Sequence, residues 1–328
     1  MKLQILVPQY EETKEVIKPL LDSIALQQNV DLANEVGVII CNDGSHYDYW
    51  LDRDWLASYP FDIQYYICDH AGVSATRNAC LDHATAEYVM FCDADDMFYN
   101  ACGLYILFRE MENEKGFDAL TSVFIEETRD PKTKKPVYIN RNLDTTFVHG
   151  KVYRLKYLLD EGIRFDPDLT IHEDSYFNCL AAKCAKEVKY CPTSFYLWKW
   201  RDASVCRHDP KYILKTFNNM LESSTALVNE LKRRGKEKDA MFYATSMIYD
   251  SYFTMNKKEW IDQENQEYRD KTEKRFKQYY IAFKPLFDDI EENVKAQIIM
   301  GIKNRFFAEG LLMEKITFED WIEHVMTL

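Results

Sequence analysis

The chain has 328 residues, 47% of them apolar and 29% charged, with a net charge of −13. That length can bury a large core, as one big domain or two of ordinary size. The acidic balance argues against wholesale binding to nucleic acid or an anionic membrane and leaves room only for a local basic patch.

The opening "MKLQILVPQY" carries one lysine and too short an apolar run before Pro8 to read as a secretory signal. No segment approaches the roughly 18 uncharged apolar residues that cross a bilayer. A cytoplasmic location is therefore expected. The nine cysteines are odd in number, scattered and never spaced C-x-x-C, which favours reduced core residues over a disulfide framework or a zinc knuckle.

In chain order, apolar runs at 3–7, 36–41, 61–67 and 87–92 alternate with segments of helical spacing at 13–28, 46–57 and 74–84. Alternating strands and helices predict an α/β fold with a mainly parallel sheet covered on both faces. Ligands in such sheets bind beyond the carboxyl ends of the strands. Those ends carry Pro8-Gln9-Tyr10, Asn42-Asp43-Gly44-Ser45, Asp69-His70-Ala71-Gly72 and Asp93-Ala94-Asp95-Asp96. Residues 118–148 read as strands flanking the basic turn "RDPKTKK" (129–135). Helices are expected at 152–160 and 173–186, with two short strands near 187–191 and 194–199. After Pro210 the spacing is helical almost throughout, which predicts a catalytic domain over 1–209 and an α-helical domain over 210–328. Phe217, Met220, Phe242, Tyr243, Met247, Tyr249, Tyr252 and Phe253 are expected mostly in the core of that second domain.

The run "EYVMFCDADD" (87–96) ends a buried-looking strand on three carboxylates among four positions. If the extended geometry persists, Asp93 and Asp95 project to one side and Ala94 to the other. Converging carboxylates repel unless a positive charge sits between them. A divalent cation with oxygen ligands meets that need, whereas an acidic exposed loop is the bland alternative.

Five segments carry a more specific signal by their order and spacing: "ILVPQYEE" (5–12), "VIICNDGS" (38–45), "HAGVSATRNACLDHATAEYVMFCDADD" (70–96), "HGKVYRLKYL" (149–158) and "FDPDLTIHEDSYFNCLAA" (165–182). With them the chain resembles the family 2 glycosyltransferases of GT-A fold, a nucleotide-diphospho-sugar-binding, Rossmann-like architecture, over about residues 3 to 208. The resemblance implies an inverting transferase. Pro8, Tyr10 and Glu12 would shape the nucleobase pocket, and Asp43 would accept a hydrogen bond from a pyrimidine N–H. Arg77 would sit beside the nucleotide; a surface salt bridge is the competing reading, and Ser74 reads as a helix N-cap. Asp93-Ala94-Asp95 matches the DxD motif, one carboxylate contacting ribose and the other Mn²⁺ or Mg²⁺ on the diphosphate. Asp174 would be the catalytic base, supported by Glu173, although acidic pairs also serve to cap helices. His149 is placed on the donor side or simply packed. Arg201 would neutralise phosphate, and His208 would be a third metal ligand. Trp198 and Trp200 either stack on sugar faces or belong to the core.

Other nucleotide and phosphate folds fit less well. There is no G-x-x-x-x-G-K-[ST] and no G-x-G-x-x-G, and three strand-like segments precede the aspartates where a haloacid-dehalogenase-like phosphatase would have none. A non-catalytic nucleotide-sugar or glycan-binding scaffold of the same fold is the alternative to an enzyme. The expected donor is a UDP-sugar. The acceptor stays open among a glycan, a polymer, a lipid-linked sugar, a protein and a modified nucleic acid base, and the C-terminal helices are candidates for the acceptor side or for homo-oligomerisation.

Overall fold

Uninterrupted apolar runs become the central strands of one sheet. In the computed structural model, which describes residues 1–47, 52–112, 116–142, 144–201, 211–257, 260–261, 263–308 and 316–328, β1 (Leu3–Gln9), β2 (Val36–Asp43) and β4 (Tyr88–Phe91) are buried along nearly their whole length. Strands enclosed on both faces have no solvated side to alternate toward, which is why their sequences read as continuous Val, Ile and Leu. β3 (Asp62–Cys68) lies at the edge and is only half-buried. Helices α1 (Lys14–Ala25), α2 (Leu32–Glu35), α3 (Arg53–Leu56) and α4 (Val73–His83) connect these strands.

Beyond β4 come β5 (Met97–Phe98), α5 (Gly103–Met111), β6 (Ala119–Arg129), β7 (Pro136–Arg141), β8 (Lys151–Arg154), α6 (Leu155–Asp160), α7 (Glu173–Cys184) and β9 (Val188–Trp198). The sheet runs β3-β2-β1-β4-β8-β6-β9-β5, with β7 attached to β6. β1 to β4 are mutually parallel, β8 is antiparallel to both β4 and β6, and β9 is parallel to β6. Two reversals restore the direction, so β6 and β9 end on the same edge as β1, β2 and β4. This edge gathers the chemistry.

Three local expectations are corrected. The helix expected over 46–57 is limited among the described residues to α3, with 48–51 outside them. The start of the helix expected over 152–160 is β8, because Val152 and Tyr153, 0% and 2% exposed, pair with the buried end of β6. The two strands expected near 187–199 are the single strand β9. Its residues 192–195 bulge out opposite Val123, a place where Pro192 needs no ladder donor.

The chain divides into two compact units, Met1–Asp202 and Ala203–Leu328, a few residues before the boundary expected from composition. The second unit contains helices Tyr212–Arg233, Glu237–Met255, Gln266–Asp289, Glu292–Ala308 and Phe318–Thr327. Trp260, Phe276 and Trp321 are fully buried there. Of the eight aromatic and methionine positions expected in its core, only Phe217 and Phe253 are fully buried, and Phe242 is exposed. The other five are half-buried, as suits long side chains on the shoulders of an amphipathic stripe.

Candidate active site

The Asn42-Asp43-Gly44-Ser45 turn organises one end of the cleft. The Asn42 side-chain carbonyl accepts the Ser45 N–H at 2.7 Å. The Ser45 hydroxyl oxygen in turn accepts from Gln9 Nε2, Glu11 N–H and Tyr47 N–H at 3.1, 3.0 and 3.0 Å, tying the end of β1 to the end of β2. Gly44 has φ +70, and a Cβ there would lie 3.1 Å from the His70 backbone nitrogen. Asp43 is 3% exposed, and its two carboxylate oxygens accept the N–H groups of Ala71 and Gly72 at 2.8 and 3.0 Å. The carboxylate thus holds the 70–72 loop and keeps lone pairs for one further donor. His70 is fixed by Asp43 at 3.0 Å and stacks on the exposed Tyr10 ring, centroids 4.6 Å apart.

Gly72, at φ 89, is the N-cap of α4. Ser74 is therefore not the cap expected of it; it lies inside the first turn, and its hydroxyl donates to the Leu169 carbonyl at 3.0 Å. One turn further, Arg77 is 3% exposed, which excludes a surface salt bridge. Its Nη1 donates to Glu173 Oε1 at 2.9 Å and Asp174 Oδ1 at 2.6 Å, and its Nη2 to Asp93 Oδ1 at 3.1 Å. The guanidinium lies 5.2 Å over the Phe165 ring. Asn78 fastens the same loop, donating to the Phe165 carbonyl at 2.9 Å and accepting the Phe165 N–H at 3.0 Å.

Glu173 and Asp174 open α7, whose N-cap His172 is left-handed at φ 65, a strained conformation for a residue with a side chain. Asp174 Oδ2 accepts the Val148 N–H at 3.2 Å. Lys151, 3% exposed, donates its ammonium to the Phe147 carbonyl and braces the segment that presents this N–H. Burial pushes the Lys151 amine down to about 8, against the charges of Asp144 and Asp174. Burial likewise pushes Asp174 up to about 7; Arg77 opposes this, and Glu173 and Asp93 add to it. Three carboxylates share one guanidinium, so their charge is under-compensated.

Arg77 and the DxD pair line the cleft, with Glu173 and Asp174 behind Arg77. Burial alone would raise Asp93, but Arg77 and His149 outweigh it and its pKa is lowered. Asp95 is raised by burial and by Asp93, despite Arg201 Nη1 at 3.0 Å. The same Arg201 nitrogen lies 3.4 Å from Glu12, whose carboxylate also accepts the Tyr10 N–H at 2.6 Å. Pro8, Ala94 and Thr76 complete a cleft of about 310 Å³.

Asp96 and His149 sit behind the DxD pair and do not line the cleft. Asp96, 0% exposed, accepts the Tyr196 hydroxyl and the Lys199 N–H, the latter at 2.9 Å. His149 is 2% exposed, packed against Phe147, Tyr196 and Trp198, with Nδ1 3.1 Å from the Tyr196 hydroxyl. Trp198 and Trp200 are both half-buried. His208 lies outside the described residues.

The sequence profile of Glycosyl transferase family 2 matches residues 4–174, more than half of the chain and every strand that builds the cleft up to the Glu173-Asp174 pair. The chain belongs to this glycosyltransferase family. The transferase is 27% identical over 255 residues to glycosyltransferase GlyA of Streptococcus pneumoniae, covering 70% of this chain and 35% of that one. It is 23% identical over 215 residues to the uncharacterized glycosyltransferase EpsJ of Bacillus subtilis, covering 60% of each. It thus spans about a third and three fifths of these two relatives. Among solved structures, S. aureus TarS 1-349 in complex with UDP-GlcNAc aligns with a TM-score of 0.61 and 18% identity, over 94% of this chain and 92% of that one. The mannosyltransferase PcManGT from Pyrobaculum calidifontis, in complex with GDP-Man and Mn²⁺, aligns with a TM-score of 0.50 and 16% identity, over 88% of each. At such identities the likeness establishes the GT-A fold.

Among the described residues of the transferase, two groups could take a divalent cation. Asp93, Asp96 and His149 each bring a ligand atom within 4.8 Å of the others. The Tyr196 hydroxyl already bonds two of these ligand groups, Asp96 and His149, and it accepts the backbone N–H of Asp93 at 3.3 Å. That group is a buried hydrogen-bonded hub. Asp93 and Asp95 fit better, because their carboxylates, 31% and 25% exposed, face the cleft, and Asp95 is raised by burial and then by the charge of Asp93. Sequence reading missed Tyr196, Lys151 and the Val148 N–H, and it placed His70 at a strand end without giving it a role. His70 was visible in the "HAG" motif; a backbone donor leaves no mark in residue type.

Proposed function

We propose that this transferase moves a sugar from a nucleoside-diphosphate donor, most readily a UDP-sugar, to an acceptor hydroxyl with inversion at the anomeric carbon. The observation that carries the reading is the convergence on Arg77 of Asp93, from the strand-end DxD, with Glu173 and Asp174, from the start of α7. A packing role would not require three carboxylates around one buried cation at the open end of a sheet. The UDP-GlcNAc-bound TarS neighbour supports UDP as the donor nucleotide.

Pro8, Tyr10 and Asp43 would hold the nucleobase, with His70 backing Tyr10. Asp174 would take the proton of the acceptor hydroxyl as its oxygen bonds to the anomeric carbon and the bond to the diphosphate breaks. One carboxylate base suffices for a single displacement; no nucleophilic carboxylate is needed. Its raised pKa suits that task near neutral pH. Glu173 would serve Arg77 or the acceptor. Asp93 and Asp95 would hold Mn²⁺ or Mg²⁺, whose charge stabilises the departing diphosphate. Arg201, already at Asp95, would contribute positive charge to the same phosphates. The helical unit, outside the matched residues, is assigned to acceptor recognition or subunit assembly.

Calorimetry with UDP, with and without Mn²⁺, tests the donor site. Binding should strengthen at least about tenfold with the metal, and Asp95→Asn should remove that gain. Undiminished metal-dependent binding by Asp95→Asn would refute the DxD assignment.

A further inference from the structure

The basic turn at 129–135 has no part in the donor site, yet the fold puts it on the cleft edge. β6 and β7 form a two-stranded ribbon, and β6 is last paired with β9 at Glu126, opposite Trp198. From Glu127 to Arg129 the ribbon runs on with no third strand among the described residues, roughly 10 Å past the sheet, and closes in a built turn. There the Asp130 carboxylate accepts the Thr133 and Lys132 N–H groups at 2.6 and 3.1 Å. Residues 129–141 carry five cations (Arg129, Lys132, Lys134, Lys135, Arg141) against one carboxylate, in a chain of net charge −13. Arg129 and Arg141 are paired with Glu127 and Glu126 at the root. Lys132, Lys134 and Lys135 are exposed, and none forms an ion pair among the described residues.

Lysines on a strand edge commonly guard against edge-to-edge pairing. Here the edge itself carries uncharged Val137, Tyr138 and Ile139, 39%, 58% and 40% exposed, while the lysines crowd the turn. Edge protection therefore does not account for them. The root of the ribbon is instead tied to the cleft: Glu127 accepts the Trp200 N–H at 3.3 Å, the Arg129 guanidinium lies 5.9 Å over the Trp200 ring, and the next residue, Arg201, holds Asp95.

We propose that the β6–β7 ribbon is a docking rail for an acceptor chain bearing repeated phosphates, a sugar- or polyol-phosphate polymer, whose terminal hydroxyl enters the cleft. This rests on the transferase reading above. A small acceptor confined to the cleft would not reach the turn; a chain would. The net charge of −13 weighs against a nucleic acid, and the lysine-bearing turn itself, Asp130 to Lys135, carries no aromatic ring, the exposed Tyr138 lying three residues beyond it on β7; both favour such a polymer.

The full-length protein is titrated with fluorescently labelled linear inorganic polyphosphate, with neutral dextran and oligo(dT) of matched charge as comparison arms. Wild type should bind polyphosphate with a log affinity that falls with log salt at a slope of about −2, as expected for three released counterions. The triple variant Lys132→Glu, Lys134→Glu, Lys135→Glu should lose at least about tenfold, and the triple Gln variant an intermediate amount. Equal binding by the Glu variant, equal binding of dextran, or tighter binding of oligo(dT) would each overturn the proposal. UDP affinity with Mn²⁺ is measured on the same samples. It should be the same in all chains, and its absence from wild type would count against the transferase reading alone.

Discussion

Arg77 faces more negative charge than it can neutralise, and this decides how the site responds to mutation. Arg77→Met would leave Glu173, Asp174 and Asp93 without their shared cation, so denaturant unfolding should show a loss of about 3 kcal/mol. Asp174→Asn keeps an oxygen for one of the Arg77 and Val148 donors, which meet different carboxylate oxygens, and cannot take a proton. Transfer should fall by about 10² or more while UDP affinity stays near wild type; near-normal transfer would move the base elsewhere, first to Glu173. The pH dependence has two signs. As a base, Asp174 must be ionised, so transfer should rise with pH through about 7. For stability, its folded pKa lies above the unfolded value of about 3.9. The native state thus keeps a proton that the unfolded state has lost, and stability declines as pH rises from about 4 to about 7. The melting temperature of Asp174→Asn should therefore gain on wild type over that interval, and a parallel pair of curves would show that Asp174 titrates normally.

Helix α4 does more at the element scale than cover the sheet. Gly72, Ser74, Arg77 and Asn78 all face the loop at 163–172 or the cleft, so one helix sets the loop that aims Asp174. Asn78→Ala removes two hydrogen bonds to Phe165 and should cost about 2 kcal/mol in urea unfolding, with a larger effect on transfer than on UDP affinity. The central strands and this helix were legible in sequence because burial on both faces leaves unbroken apolar runs, and the strand-end carboxylates stand out against them. Arg77 and Ser74 were placed on the right element, but their partners were not readable, since Leu169, Glu173 and Asp174 come from a loop and helix over 90 residues away. The expectation over 46–57 rested on polar and aromatic positions at helical spacing, and among the described residues only Arg53–Leu56 is helical there. β8 was taken into a helix because four residues of Lys, Val, Tyr and Arg hold no period long enough to distinguish the two. Likewise, His149 and Asp96 were ambiguous until Tyr196 was seen between them.

At the scale of the whole molecule, every described residue that lines the cleft lies at or before Arg201, within the first unit. A chain ending near residue 209 should therefore bind UDP with Mn²⁺ within about threefold of the full-length protein, and a much weaker affinity would show that the helical unit contributes to the donor site. The strand order adds a constraint in time. Arg77 meets Asp174 across 97 residues, Asp96 meets Tyr196 across 100, and Asp95 meets Arg201 across 106. Such non-local pairings are slow to form, because loop-closure entropy opposes them before contacts reward them. Through β8 the sheet reverses and then doubles back, so no early hairpin can assemble even half of the cleft. In a refolding experiment, nucleotide affinity should return with the slowest phase, after most helical ellipticity has recovered. The site then serves as a clock for the last step of folding, and a nascent chain gains its chemistry only when β9 has left the ribosome.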